Sequence, residues 1–231
     1  MTSLNLFSFN NKKILFFWCK HSWDYKDSQT NQIKRIFESF APDLVLVETT
    51  RLVKSNSEKE AVLKDGESGL ATYLAHKKNI KVIAADPDEK IIIKILSEKY
   101  SKEELILYFL LRMLNQYQKL KIKPSFNYFL RCLIKRYKIL DRKLSYSMFK
   151  KIFKRLLKKK FDPQALGTLT ELFNPGKNMA ITNTIAKDDS FLRDSYVLCI
   201  LKVMLEKFNR ILVIRGSGHA NFFKKNIKIL K

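Results

Sequence analysis

The chain has 231 residues, 46% of them hydrophobic, and carries 45 Lys+Arg against 22 Asp+Glu, a formal net charge of +23. Six glycines and five prolines are too few for a disordered or low-complexity chain, and the length suffices for one core, or one core with a helical appendage. So large a charge for the size implies an anionic partner or surface.

The N-terminus, "MTSLNLFSFNNKK", has no basic segment ahead of a long apolar run, so a secretory signal is not expected. No apolar run approaches the roughly 20 residues that span a bilayer. The three cysteines, Cys19, Cys132 and Cys199, lie far apart with no CxxC or CxxH spacing, so neither a zinc knuckle nor a disulfide framework is suggested. Sparse, odd thiols fit a reducing compartment, and the sequence predicts a soluble, cytoplasmic protein.

Lys13 to Cys19, "KILFFWC", is a short run of strand formers. Ser28 to Phe40 places Ile33, Ile36, Phe37 and Phe40 at helical spacing. Asp43 to Val47, in "APDLVLVE", is a proline-bounded strand. The string "DGESGLATYLAHKKN" predicts a helix starting at a glycine, with Leu70, Tyr73 and Leu74 on one face. Ile80 to Ala85 is a third strand. A β-α-β-α-β order with wholly apolar strands indicates an α/β fold, a mainly parallel sheet with helices on both faces.

Residues 88–173 change character and predict helices only. Asn127 to Leu140 carries Phe129, Leu130, Leu133, Ile134 and Tyr137. Ser145 to Lys160 has an apolar stripe, Met148, Phe149, Ile152, Phe153, Leu156 and Leu157, with lysines and Arg155 opposite. Residues 112–160 hold 17 Lys/Arg and one acid, Asp141, a local charge of +16; the rest of the chain carries only +7. Past Asn174-Pro175, Ser190 to Phe208 predicts a helix with Val197, Leu201 and Leu205, and Arg210 to Arg215 a last strand. The expected organisation is an α/β core, residues 1–87 and 174–231, split by a basic helical insertion, residues 88–173.

In an open parallel sheet, chemistry gathers beyond the carboxyl ends of the strands. His21 follows the first strand, Glu48 ends the second, Asp86 the third, and His219 follows the last; Glu67 opens a helix in "GESG". Each has a plainer reading. Asp86 precedes Pro87 and reads as a turn cap. Glu67 lies in a first helical turn, where the macrodipole alone accounts for an acid. His76 sits in a polar helix end, and His21 in a loop. Glu48 is different, because "LVLVE" drives a carboxylate to the end of a buried strand, where it requires a partner. Arg193 falls in the first turn of the Ser190 helix, opposed by the dipole, which implies a compensating carboxylate or anionic ligand. Asp194 needs no such reason. There is no P-loop, no GxSxG and no HExxH, and "GSGHAN" lacks the third glycine of a dinucleotide fingerprint.

Four strings in order, "HSWD" followed by "FAPDLVLVE", then "GESGLATYLAHKKNIKVIAADP", "LRDSY" and "RILVIRGSGHANFF", together resemble the TraB/PrgY, Tiki and erythromycin esterase-like superfamily. The resemblance covers residues 13–87 and about 174–223, and leaves 88–173 unaccounted for. It implies an α/β core with functional glutamates and a terminal Gly-x-x-His, here Gly216 to His219, and carries over to His21, Glu48, Glu67, Arg193 and His219. Tiki-like members are metal-dependent peptidases, erythromycin esterases are hydrolases with an essential histidine, and other members are signalling or haem-binding proteins.

Two routes to ester or amide hydrolysis are open. His21, His219 and Glu48 would hold Zn²⁺, Mn²⁺ or Fe²⁺ with a position left for water, and Glu67 would act as general base. Without a metal, a histidine polarised by a glutamate would activate water, and Arg193 would stabilise the oxyanion. A different class is a binding module whose basic helices contact nucleic acid or an anionic membrane surface, with Tyr128, Tyr137 and Tyr146 among the cations. The plainer account is that the apolar stripe of the Ser145 helix packs on neighbouring helices and its lysines are solvated.

Overall fold

The structure, a computed structural model, describes residues 3–119, 124–162 and 171–230. Five strands form one mixed sheet in the order β1-β2-β5-β3-β4. They are β1 (Ser3–Phe9), β2 (Lys12–Cys19), β3 (Leu44–Val47), β4 (Lys81–Ala84) and β5 (Arg210–Gly216). Strands β2, β5, β3 and β4 run parallel, and β1 pairs antiparallel with β2. The mainly parallel α/β core therefore stands, and β1 is an addition to it. The hairpin turns at Asn10-Asn11, with Asn10 in the left-handed region that asparagine tolerates (φ 54).

The period-2 alternation of each strand splits the core between the two sheet faces. On one face Leu15, Phe17, Cys19, Val45, Val47, Leu212 and Ile214 pack under α1 (Ser28–Ser39) and α2 (Glu58–Lys77). On the other, Phe16, Trp18, Leu46, Ile211 and Val213 meet Val197 and Leu201 of α7 (Ile181–Met204), Leu205 just past its end, and Phe223 of α8 (Ala220–Asn226). Helix α1 starts on the Asp27 side chain, which accepts the Gln29 N–H. Helix α2 begins not at the glycine but at Glu58, capped by Ser57, and breaks at Asp65-Gly66. The glycine thus marks an internal kink rather than a start.

Contacts divide the chain into two compact units, Met1–Asp88 with Arg193–Lys231, and Glu89–Leu192. The second unit contains α3 (Glu89–Leu96), α4 (Lys102–Lys119), α5 (Phe126–Tyr137), α6 (Tyr146–Leu157) and the first residues of α7. Its own core includes Leu107, Phe109, Leu133, Tyr137, Phe149 and Phe153. A partly buried ion pair joins Arg112 to Asp189 at 2.9 Å, and the Tyr108 hydroxyl donates to the same carboxylate. Among the described residues, no helix is long and apolar enough to cross a membrane.

Candidate active site

Strand β5 is last in sequence but lies between β2 and β3. The register sets Cys19 opposite Gly216, and Val47 opposite both Ile214 and Ala84. The carboxyl ends of β2, β5, β3 and β4 therefore share one edge. His21, Glu48, Asp86 and His219 all fall within three residues of those ends. The turn after β5 brings Gly216 against both His21 and Glu48. A Cβ on Gly216 would collide with Nε2 of His21 and lie 3.3 Å from Oε2 of Glu48, so a larger residue there would displace the half-exposed His21 ring from its present position. Gly66 serves Glu67 in the same way. It holds φ +54, a Cβ there would lie 2.9 Å from the Ser22 carbonyl oxygen, and its kink starts a fresh helical turn at Glu67. His21 itself is in the left-handed region (φ 55), an uncommon conformation for a histidine and a frequent one at functional sites.

Carboxylates and imidazoles alternate across this edge. Nδ1 of His219 donates to Oδ1 of Asp194 at 2.7 Å, and its Nε2 faces Oε1 of Glu48 at 3.5 Å. The other oxygen of Glu48 accepts the Gly216 N–H at 2.5 Å and faces Nε2 of His21 at 3.9 Å. Nδ1 of His21 faces Oε2 of Glu67, also at 3.9 Å. Glu67 is anchored through its other oxygen, which accepts the Ser22 N–H at 2.7 Å and the Gln29 amide at 3.3 Å. The order is Asp194, His219, Glu48, His21, Glu67. Its two ends are buried, and His21 is the exposed member, with half of its side chain open to solvent.

Behind the chain of side chains lies a buried arginine. Arg215, 1% exposed, donates to Asp194 from Nε and Nη2 and to Asp86 from Nη1 at 3.3 Å. Arg193 pairs with the other oxygen of Asp86 at 2.8 Å.

These charges decide the protonation states. Burial is the largest single influence on Glu48 and raises its pKa, but Arg215, His219 and His21 together outweigh it and hold the carboxyl well below the usual range. For His219 burial again opposes the charged form, yet the hydrogen bonds to Asp194 and Glu48 prevail and push its pKa up to about 9. His219 is therefore an imidazolium at neutral pH. Glu67 moves the other way: burial raises its pKa more than its backbone hydrogen bonds and His21 lower it. Two acids of one site are thus driven apart, the pattern expected where one stays ionised and the other handles protons. Asp65, at the kink, is raised to about 6, chiefly by burial.

The edge brings together four of the five residues singled out in the sequence: His21, Glu48, Glu67 and His219. Arg193 needs correction. Helix α7 starts at Ile181, so Arg193 lies in its interior, not in a first turn, and the dipole argument does not apply. The compensating carboxylate does exist, and it is Asp86. Asp86 is accordingly not a mere turn cap. Two participants were missed. Asp194 precedes Val197 and Leu201 on the stripe of α7 that faces the sheet. Arg215 follows Ile211 and Val213 at period 2, so it points into the same buried face. The spacing gives the direction of both side chains but not their partners.

The donor set also bears on a metal. Among the described residues, Cys19, His21 and Glu67 form a group whose ligand atoms lie within 4.8 Å of one another. Cys19 Sγ and Glu67 Oε2 lie 4.0 and 3.9 Å from Nδ1 of His21, wider than the roughly 3.3–3.8 Å between ligands on one tetrahedral ion with bonds of about 2.0–2.3 Å, so the side chains would have to close in to hold one. Burial, with the Glu67 and Glu48 charges, raises the Cys19 pKa, so the thiol would have to lose its proton on binding. His219 is outside this group and has a carboxylate at each ring nitrogen. His76 is exposed at the end of α2. No family model, no curated protein and no solved structure matches the chain.

Proposed function

We propose that the chain is a hydrolase of the TraB/Tiki/erythromycin esterase-like type, acting on an ester or amide at the strand-end edge. The observation that carries this reading is that the two oxygens of Glu48 each face a different imidazole. Water attacks the substrate carbonyl and its proton passes to Nε2 of His21, whose Nδ1 is turned toward Glu67. His219, charged at neutral pH, gives its Nε2 proton to the leaving oxygen or nitrogen. Glu48 stays ionised between the two rings and stabilises the charge on each; the exposed His21 gives its proton to solvent and His219 regains one, so the cycle closes without net proton change. Asp194 holds His219 in place and, with Glu48, favours its charged form against the opposing charge of Arg215, which in turn anchors Asp194. Arg193, 7% exposed and paired with Asp86, serves that scaffold rather than an oxyanion.

A divalent ion, where bound, would be held by His21 and Glu67 with Cys19 and would polarise the carbonyl or its attacking water. We place the activity in the cytoplasm, since all three thiols are free.

The test is turnover of p-nitrophenyl esters and of fluorogenic peptides by the purified chain, with chelator and with added Zn²⁺ or Mn²⁺, beside His219→Ala. Hydrolysis that falls by about 10²–10⁴ in kcat in the variant is expected. No hydrolysis of either substrate class, or an unchanged rate in a folded His219→Ala protein, overturns the reading.

A further inference from the structure

The second unit carries a different chemistry, independent of the strand-end site. Helices α5 and α6, with the turn between them, fall in the stretch of +16. Asp141, its one acid, is already engaged: it pairs with Lys102 at 3.3 Å and accepts the Lys143 N–H. Arg131 and Lys135 on α5, and Lys150, Lys151 and Lys154 on α6, are all exposed.

An anionic membrane would want the apolar side of such an amphipathic helix as well. That side is spent. Phe149, Ile152 and Phe153 are at most 3% exposed, packed in the unit's own core. What α6 presents is its cationic face alone.

The aromatic residues divide as well. Tyr137 is buried and donates to Glu89, so it is withdrawn from any ligand. Tyr128 is 56% exposed and stands one turn from Arg131 on the same helical stripe. Tyr146 lines a groove of about 390 Å³ with Asn127, Leu130, Arg131 and Ile134. The Lys150 ammonium lies 4.7 Å from the centre of the Tyr146 ring. Arg131 and Lys150 thus flank an apolar groove that has an aromatic wall, with the exposed Tyr128 ring on the same helix and further cations along α5 and α6. A polyanion with flat, unpaired bases complements that arrangement, since phosphates meet the lysines while bases stack on tyrosine.

We propose that the α5–α6 face binds single-stranded nucleic acid. If the five named cations each meet one phosphate, log Kd changes by about 3.5 per decade of salt, from about 0.7 per contact on single strands.

The experiment uses the full chain, fluorescent poly-U and poly-dT 20-mers, a duplex of equal length, and phosphatidylserine vesicles, each at 50 to 500 mM salt. Three proteins accompany the parent. One carries Lys135→Glu, Lys150→Glu, Lys151→Glu and Lys154→Glu. A second carries the same charge change at exposed positions of the first unit, Lys26→Glu, Lys54→Glu, Lys59→Glu and Lys225→Glu. The third is Tyr128→Ala. Expected are preference for single strands, a salt slope near the stated value, at least a hundredfold loss in the first variant, and far less in the second. Tyr128→Ala should weaken single-strand binding about tenfold with the salt slope unchanged. Equal losses in the two charge variants overturn the proposal, as does binding to vesicles alone or a Tyr128→Ala protein that binds as the parent does.

Discussion

Asp194→Asn isolates the electrostatics of the proposed acid. In the parent, His219 lies between Asp194 at 2.7 Å and Glu48 at 3.5 Å, and its pKa is pushed up to about 9 from the ordinary 6.5. At about 1.4 kcal/mol per pKa unit, that gap is worth about 3 kcal/mol of stability. The folded chain keeps a proton that the unfolded chain releases between pH 6.5 and 9. The contribution is therefore complete below pH 6.5 and is lost as pH rises through 9. Asparagine keeps an acceptor oxygen for Nδ1–H but removes the charge, and the Asp194 contact is the largest cause raising the His219 pKa. NMR titration of the three imidazoles, assigned by single substitutions, should show His219 near 9 in the parent and displaced toward 6.5 in the variant. Urea unfolding at pH 6 and pH 9.5 should show the parent losing the extra stability that the variant lacks. A parent His219 titrating near 6.5, or a variant indistinguishable from it, refutes the reasoning.

Replacing Asp65 by Asn should raise the melting temperature at pH 7–8, because burial penalises the carboxylate there, and the advantage should vanish below about pH 4; a variant less stable at pH 8 contradicts this. Gly216→Ala would force its Cβ into His21, so ester turnover should fall at least tenfold while thermal unfolding changes by only a few degrees; unchanged turnover refutes the steric argument. Arg215→Met would leave Asp194 with only His219 and Asp86 with only Arg193 as charged partners in a buried face, at a cost of about 3 kcal/mol in denaturant unfolding at pH 7.5. A loss under about 1 kcal/mol would show that these carboxylates do not depend on Arg215.

The strand-end histidines and Glu48 were legible because a parallel sheet forces its carboxyl ends together whatever covers its faces. The parallel strands were legible for a related reason: buried on both sides, they read as unbroken apolar runs. Strand β1 escaped. It is a half-exposed edge strand, and its Asn10-Asn11 turn is a weaker hairpin signal than Asn-Gly. The start of α7 escaped because residues 181–190 mix Thr, Asn, Lys and Asp, poor helix formers or polar ones, and only the later apolar stripe announces a helix. That error moved Arg193 into a first turn it does not occupy. It also hid Asp194, whose inward direction is evident only once the whole stripe is extended back by one turn. In sequence Arg215 looks like a strand end, because an arginine at a buried strand position makes sense only beside its carboxylates, 21 and 129 residues away in the chain. Pairings of that kind belong to tertiary structure and leave no local pattern.

The central claim is that Glu48 couples two imidazoles in acid–base hydrolysis, and Glu48→Gln tests it most directly. Glutamine is nearly isosteric and keeps an oxygen for the Gly216 N–H, so the fold should persist while the charge that faces both rings is lost. On whichever ester or peptide the parent hydrolyses, kcat/KM at pH 7.5 should fall at least a hundredfold in the variant. A folded Glu48→Gln protein with kcat/KM within threefold of the parent would contradict the account.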